Sequence, residues 1–313
     1  MEKIGDLESQ ELRQGARKAF LYHLETIYLV TKSDIKTTLS PATVFAVVNA
    51  ASGTLLTTNS APSLWEISLR LPKTILWIWL NLYIFNLANQ RLPNSIIEDS
   101  INKPWRAIPS GRLTATQARH LLLTFIPVAY LSTFYLGGRN ESMALMILTW
   151  LYNDLGAGDE NFLIRHIANA LGFCAFASGA SQVACGFPAH TLSENAYRWL
   201  LLVAAIITFT IQFQDMEDLM GDRMRNRKTL PIILGEPETR LFNAVVILVF
   251  SATASAFWQS TLSGYLVPGT LGVIIAGRTL MLQSVPSDRK TFQLWCLWLV
   301  IIYALPLTKL QLF

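Results

Sequence analysis

The chain has 313 residues, of which 52% are hydrophobic and 15% are charged, and its formal net charge is +4. Soluble domains carry about 25% charged residues, so this deficit excludes an ordinary soluble protein and indicates an integral membrane protein. The positive charge does not indicate nucleic-acid binding, because the cations cluster in a few loops instead of forming one basic face. We therefore expect no nucleic-acid partner, and no segment indicates an obligatory protein partner.

Residues 1–36 form a polar N-terminal arm, which begins MEKIGDLESQELRQGARK and lacks the apolar core of a cleaved signal peptide. Within the arm, residues 19–29 have an amphipathic pattern. This stretch would lie in the membrane interface or cover the helical bundle, and the alternative is an ordinary solvent-facing helix. We expect the arm to be cytosolic and residues 37–313 to form the membrane domain.

Apolar stretches recur along the chain after this arm, and a spanning helix needs roughly 20 mostly apolar residues. We predict an all-α, multi-pass membrane protein with about nine transmembrane helices. The predicted spans are residues 40–57, 74–92, 118–137, 142–157, 162–186, 195–214, 239–258, 263–282 and 291–311. Lys and Arg concentrate in the loops after the second and sixth spans and before the ninth. This bias predicts that these loops and the N-terminus face the cytosol.

The loops after the second and sixth spans resemble each other. Residues 89–114 and 214–236 each begin with amides or carboxylates at the end of a span, then become basic, and then reach a proline. The similarity predicts one functional unit that is used twice and faces one cavity from two sides. Two cytosolic loops can also resemble each other by chance, and this alternative stays open.

The second of these loops begins QDMEDLMGD and places carboxylates at helical spacing. Asp215, Asp218 and Asp222 share one face of a helix, whereas Glu217 points away from it. Three unpaired carboxylates at the membrane edge would repel one another, and ionisable groups there usually line a cavity. Mg²⁺ removes the conflict, because it prefers oxygen ligands and binds phosphates together with one or two carboxylates. The cluster predicts a Mg²⁺ site, with a solvated helix cap as the alternative.

Cations and amides near these carboxylates predict a diphosphate ligand, because Lys and Arg pair with phosphate oxygens. Arg223 and Lys228 flank the acidic cluster most closely. In the first loop, Pro93 should interrupt the helix. The candidate diphosphate ligands around it are Asn86, Asn89, Gln90, Lys103 and Arg106. With an apolar bundle behind them, these groups predict an isoprenyl diphosphate as the ligand and the lipid bilayer as the surroundings.

Two other kinds of site have little support. The four histidines are scattered, and Cys174, Cys185 and Cys296 lie in apolar segments without metal-ligand spacing. A transporter or cation channel would place carboxylates near the middle of the membrane. Here the carboxylates lie at span ends beside Arg and Lys, which favours an enzyme over an ion pathway.

Two motifs, each closing a span, carry a family resemblance. Residues 102–112 read NKPWRAIPSGR, and the Asp215, Asp218, Asp222, Arg223 pattern is followed by KTLP at 228–231. The chain thereby resembles the UbiA superfamily of intramembrane prenyltransferases. The resemblance implies a nine-helix bundle with a lateral opening to lipid, a catalytic domain over residues 37–313, and Mg²⁺-assisted departure of diphosphate. It also implies that the catalytic and metal-binding residues are Asp99, Asp215, Asp218 and Asp222.

The sequence departs from the family's usual pattern in its first motif. The motif opens Asn89-Gln90 instead of Asn-Asp, and Tyr152, a further candidate for substrate binding, is not followed by the usual Lys. These departures make the chain most similar to a fungal branch of the superfamily that is best known for terpene cyclisation. That resemblance implies farnesyl diphosphate as the substrate and a bergamotene-like cyclic sesquiterpene as the product. It also implies the endoplasmic reticulum as the membrane, if the chain is fungal.

Cyclisation and prenyl transfer share the step in which diphosphate leaves, so the sequence separates them only weakly. It favours a cyclase, with a prenyltransferase acting on an aromatic or lipid acceptor as the alternative. A cyclase needs a water-poor pocket with aromatic faces that stabilise carbocations. The candidate aromatic residues are Trp77, Trp79, Tyr83, Phe85, Trp150, Tyr152, Phe173, Phe176 and Phe213.

Overall fold

The computed structural model describes the backbone of residues 2–309 and the side chains of residues 15–309. The side chains of the first part of the N-terminal arm, and the last two residues of the predicted ninth span, lie outside these ranges. Residues 2–309 form fourteen α-helices and short helical turns. In chain order the helices are α1 (Glu2–Thr31), α2 (Ser40–Ala51), α3 (Leu64–Gln90), α4 (Pro93–Asn102), α5 (Ala115–Leu136), α6 (Arg139–Asn153), α7 (Ala157–Glu160), α8 (Phe162–Cys185), α9 (Glu194–Thr210), α10 (Phe213–Met224), α11 (Leu230–Ile233), α12 (Glu236–Phe257), α13 (Leu262–Met281) and α14 (Val285–Ala304).

The predicted all-α membrane fold is confirmed, and each predicted span falls on one of the longer helices. By length and apolarity, four helices of the described chain could each cross a membrane. They are Phe162–Cys185, Glu236–Phe257, Leu262–Met281 and Val285–Lys309. Helices α9 and α10, bent by 46° where they meet, would together make a fifth. The number of nine spans stays a prediction.

Helix α8 lies inside the bundle, where it packs against α2, α3, α6 and α9. Its second half reads ASGASQVAC, and such small residues let neighbouring helices approach closely. Gly179 shows how close the approach is, because a Cβ atom placed there would lie 2.1 Å from the ring of Trp77. The packing of α3 against α8 therefore depends on a glycine at this position.

Three interruptions of helical structure lie at one end of the bundle and leave side chains free to point into its interior. Residues 32–39 form a 3₁₀ turn and then a π-helical turn, of the kind often found at functional sites. Helix α3 ends at Gln90, and Pro93 occupies the first turn of α4, so the predicted interruption is confirmed. The third interruption is the bend between α9 and α10. Residues from all three regions line the cavity described next.

Candidate active site

A cavity opens between α3, α6 and α8 at the end of the bundle where these interruptions lie. The centre of a water molecule can reach about 120 Å³ of it. Asp34 and Thr37 line it from the segment that joins the N-terminal arm to α2, so residues on both sides of the predicted boundary at residue 36 contribute. That domain boundary stays a prediction.

The lining of the cavity changes from polar to apolar along each of its three main helices. Along α3 the lining residues run from Asn89 and Asn86 to Phe85 and Leu82. The same order is seen along α6 from Tyr152 to Leu145, and along α8 from Arg165 through Asn169 to Phe176. One end of the cavity can therefore bind a polar or charged group while the other end accommodates hydrocarbon.

The three aspartates of the acidic loop lie in one helix, α10, as their spacing predicts, and all three are buried. Each forms an ion pair with a cation that lines the cavity. Asp215 lies 2.6 Å from Arg165, Asp218 lies 2.8 Å from Lys103, and Asp222 lies 3.1 Å from Arg227. Glu217 pairs instead with Arg289, away from this group.

The two resembling loops contact each other directly at these ion pairs. Lys103, from the first loop, reaches Asp218 in α10, and Asn102 donates a hydrogen bond to the Asp218 carbonyl oxygen. A Cβ atom at Gly221 would lie 2.2 Å from the Asn102 amide nitrogen, so this glycine permits the close approach. Burial disfavours the charge on Lys103, but the Asp218 carboxylate outweighs it and raises the pKa of the lysine.

A second group of ion pairs joins three segments beside the cavity. Arg225 and Arg227 follow α10, and both bind Glu98 in α4 at 2.9 Å. Both also bind Asp159 in α7, at 2.9 and 3.1 Å. Burial alone would raise the pKa of Asp159, but the hydrogen bonds and charges of the two arginines lower it below the usual range. We call these four residues the arginine network.

The first loop is also fastened to the N-terminal arm. Asp99 binds Arg106 with both carboxylate oxygens, at 2.7 and 2.9 Å. Arg106 also donates to the Ser33 hydroxyl, and Gln90 donates to the Val30 carbonyl at 2.8 Å. The end of the arm therefore packs against the site. Within residues 19–29, five large hydrophobic side chains are exposed: Phe20, Leu21, Tyr22, Leu24 and Tyr28. Their exposure favours contact with the membrane interface over an ordinary solvent-facing helix. This placement stays a prediction.

Within residues 15–309, no three His, Cys, Asp or Glu side chains are grouped so that they alone could hold a metal ion. Mg²⁺ needs fewer, since it binds through one or two carboxylates together with phosphate oxygens and water. One buried oxygen of Asp215 and one of Asp222 have no hydrogen-bond partner among the described residues. Free carboxylate oxygens in a buried site are the ligands that a hard cation takes, so these residues fit Mg²⁺.

The structure gathers most of the predicted site residues around the polar end of the cavity. Five line it: Asn86, Asn89, Lys103, Arg106 and Tyr152. The four aspartates lie behind lining cations as their ion-pair partners, and Gln90 is buried against the N-terminal arm. Arg223 and Lys228 are exposed, and Arg223 contacts Glu236 at 3.4 Å. The roles given to all of these residues stay predictions.

Several charged residues that the structure places at the site are not among the predicted site residues. Arg165 was detectable, because an arginine inside a predicted span is rare and usually faces a cavity. The Nε of Arg165 lies 3.3 Å from the Tyr152 hydroxyl. Tyr152 therefore has a cationic neighbour from α8, although the lysine that usually follows this tyrosine in the family is missing. Arg225, Arg227, Glu98 and Asp159 carried no such signal, because each lies in a charged loop.

Of the nine candidate aromatic residues, the structure places four around the cavity, namely Phe85, Tyr152, Phe173 and Phe176. Trp77 and Phe213 are packed in the hydrophobic core, whereas Trp150 is 54% exposed. The number of aromatic faces available to a ligand is therefore smaller than composition suggests.

A solved structure of a UbiA homolog from Archaeoglobus fulgidus, bound to GPP and Mg²⁺, has the same fold. It superposes with a TM-score of 0.58 at 12% identity, over 90% of this chain and 99% of that chain. At this identity the likeness concerns the fold alone.

Relatives of similar length are found among bacterial and fungal proteins. Somaliensene A/B synthase from Streptomyces somaliensis is 28% identical over 91% of this chain and 92% of its own length. Fumagillin beta-trans-bergamotene synthase from Aspergillus fumigatus is 29% identical over 75% of each chain. Polyprenyl transferase eriF from Hericium erinaceus is 27% identical over 88% of this chain and 91% of its own.

The motifs, the helical bundle and these relatives agree with a match to one family. The UbiA prenyltransferase family matches residues 44–300, which is most of the chain. This integral membrane protein therefore belongs to the UbiA prenyltransferase family.

Proposed function

We propose that this protein is a Mg²⁺-dependent membrane terpene cyclase that converts farnesyl diphosphate to a cyclic, bergamotene-like sesquiterpene. One observation carries the proposal. A single cavity has four cations at its polar end and aromatic and aliphatic side chains at its other end. A charged diphosphate joined to a hydrocarbon tail has the same distribution of polarity.

The cations that would receive the diphosphate are Lys103, Arg106, Arg165 and Arg227. Each is held in place by an aspartate behind it and keeps donor hydrogens that the aspartate does not use. In the first step, the bond between C1 and the diphosphate oxygen breaks, and its electron pair leaves with the diphosphate. Preorganised cations stabilise the charge that develops on the leaving group.

Mg²⁺, when bound, supplies Lewis-acid stabilisation of the same leaving group. Asp215 and Asp222 would hold it through their unpartnered oxygens, and we propose that Asp218 and Asp99 contribute as the family motif implies. The homolog from Archaeoglobus fulgidus is bound to GPP and Mg²⁺, which supports a Mg²⁺-dependent reaction on a prenyl diphosphate. We further propose Asn86, Asn89 and Tyr152 as diphosphate contacts, because they lie at the same polar end.

In the second step, double bonds further along the tail attack the cationic carbon in turn, and each attack exchanges a π bond for a new C–C bond until the rings are closed. Loss of a proton then gives a neutral hydrocarbon, so the products are the sesquiterpene, diphosphate and a proton. Phe85, Phe173 and Phe176 line the apolar part of the cavity, where their faces can stabilise a carbocation and exclude water. The two relatives named as synthases support this outcome.

The alternative is transfer of the same allylic group to an aromatic or lipid acceptor. The similarity to polyprenyl transferase eriF favours it. Both reactions share the ionisation step, so the polar end of the site would serve either.

The deciding experiment is to incubate membranes that contain the protein with farnesyl diphosphate and Mg²⁺ and no acceptor. We expect a cyclic hydrocarbon in the organic extract and its disappearance when EDTA removes the metal. Asp218→Asn should abolish the product although the protein still inserts into the membrane. The control is Glu66→Gln, which alters an exposed ion pair with Arg70 and should leave product formation unchanged. Product formation only after addition of an acceptor would reject cyclisation in favour of transfer.

A further inference from the structure

We infer that Gly172 determines which prenyl chain lengths the cavity accepts. This inference rests on the proposed function, because it assigns the apolar end of the cavity to the tail of a prenyl diphosphate.

Gly172 lies on the cavity-facing side of α8, directly below the cation that would bind the diphosphate. Arg165 and Gly172 both line the cavity, and they are seven residues apart. Two helical turns separate them, so they share one face, with Gly172 about 10 Å deeper. A tail whose diphosphate contacts Arg165 must pass Gly172 to reach Phe173 and Phe176.

The space beside Gly172 is open. A Cβ atom placed there would meet no described atom within 4 Å beyond its own chain neighbours and the adjoining helical backbone, whereas a Cβ atom at Gly179 in the same helix would clash with Trp77 at 2.1 Å. Gly179 is thus explained by helix packing, but Gly172 is not. Glycine within a helix is less stable than alanine, and the missing side chain at residue 172 leaves room in the cavity instead.

A side chain at residue 172 would occupy the path of the tail without disturbing the helix. Position 172 lies inside α8, away from its ends, where the helical backbone suits an ordinary L-residue. Added bulk should therefore exclude longer tails and spare shorter ones, since an overfilled apolar site tolerates extra carbon atoms poorly.

The test compares Gly172→Ala and Gly172→Val with a matched control, Gly277→Val in α13. Gly277 is also half-buried, and a Cβ atom there also meets nothing within 4 Å of the described chain, but it is not a lining residue of the cavity. The probes are geranyl, farnesyl and geranylgeranyl thiodiphosphates, which resist ionisation, and each is added together with Mg²⁺. Their binding is measured by the rise in thermal unfolding midpoint of the purified protein in detergent.

We expect Gly172→Val to weaken binding of the farnesyl and geranylgeranyl probes by about tenfold and to leave geranyl binding unchanged. Gly172→Ala should fall between this variant and the wild type, and Gly277→Val should match the wild type. If Gly172→Val does not fold, the alanine variant alone decides the question. An unchanged ratio of farnesyl to geranyl affinity in the Gly172 variants, an equal loss for all three probes, or the same shift in Gly277→Val would overturn this inference and leave the proposed function standing. A wild type that binds none of the probes would overturn the proposed function together with it.

Discussion

Arg165 is the residue through which the acidic helix α10 and the middle of the bundle are joined. It is buried, pairs with Asp215 at 2.6 Å and lines the cavity beside Tyr152. The other basic neighbour of Asp215 is the Nε2 of His166, 3.7 Å away. The arginine therefore supplies most of the compensation for a buried carboxylate.

Removal of Arg165 should lower the stability of the protein, and a second substitution at Asp215 should restore most of it. Arg165→Leu leaves Asp215 buried without its arginine, and we expect the free energy of unfolding to fall by about 3–5 kcal/mol. The double variant Arg165→Leu with Asp215→Leu removes both charges and should regain most of that loss. Unfolding in mixed detergent micelles measures both values.

Activity should separate from stability in this pair of variants. The double variant should remain inactive, because it lacks a diphosphate contact and a metal ligand of the proposed site. A single variant as stable as the wild type would contradict the structural role of the pair, and an active double variant would contradict its proposed role in the reaction.

The residues of α10 show what can be predicted at this scale. Spacing alone predicts that Asp215, Asp218 and Asp222 share one face of a helix, and in the structure all three lie in α10 and are buried. The buried arginines could not be predicted in this way, because the chain leaves the helix at Arg225 and Asn226 adopts a left-handed conformation with φ of 58°. That turn directs Arg225 and Arg227 to the buried side, whereas Arg223, still within the helix, lies on its exposed face.

At the scale of elements, the arginine network holds three segments together. Its residues come from parts of the chain that no predicted span contains, namely Glu98 in α4, Asp159 in α7, and Arg225 and Arg227 after α10. Three of the four are well buried, so their ion pairs are poorly screened by solvent.

Glu98→Gln should loosen all three segments at once. The substitution leaves Arg225 and Arg227 with less compensating charge, so we expect faster hydrogen exchange in residues 93–102, 157–160 and 225–229. Exchange measured by mass spectrometry on the purified protein tests this. Glu194→Gln disrupts an exposed pair with Arg198, which contributes little, and should change nothing. Faster exchange confined to residues 93–102 would contradict the network.

The positions of the helices were largely predictable, because apolar runs mark them and Pro93 marks one end. The bend between α9 and α10 and the π-helical turn at Ile35–Leu39 were not, because neither has a residue that forces it. Both depend on how the chain packs around the cavity, which a linear pattern does not contain.

For the whole molecule, the distribution of Lys and Arg leads us to propose that the site faces the cytosol. The similarity to a fungal synthase leads us to propose the endoplasmic reticulum as the membrane. Helix α12 separates the acidic loop from the turn before α13, so residues 228 and 263 should lie on opposite sides.

Cysteine labelling tests this orientation, because Lys228 and Ser263 are both exposed. In sealed microsomes, Lys228→Cys should react with a membrane-impermeant maleimide, and Ser263→Cys should react only after the membrane is permeabilised. The native Cys185 and Cys296 are buried, and replacement of all three cysteines by alanine gives the background. The reverse pattern of labelling would contradict the proposed orientation.

The pairing of carboxylates with cations at the polar end of the cavity has a thermodynamic consequence. In this set the carboxylates outnumber the cations. The seven carboxylates are those of Asp34, Glu98, Asp99, Asp159, Asp215, Asp218 and Asp222. The five cations are those of Lys103, Arg106, Arg165, Arg225 and Arg227. A diphosphate would add negative charge to a site where negative charges already outnumber positive ones, and a divalent ion would offset that excess. Each ligand should therefore raise the affinity of the other by the same factor, since linkage is reciprocal. The substrate and its metal would then load as a cooperative pair, and the diphosphate would bind poorly without the metal.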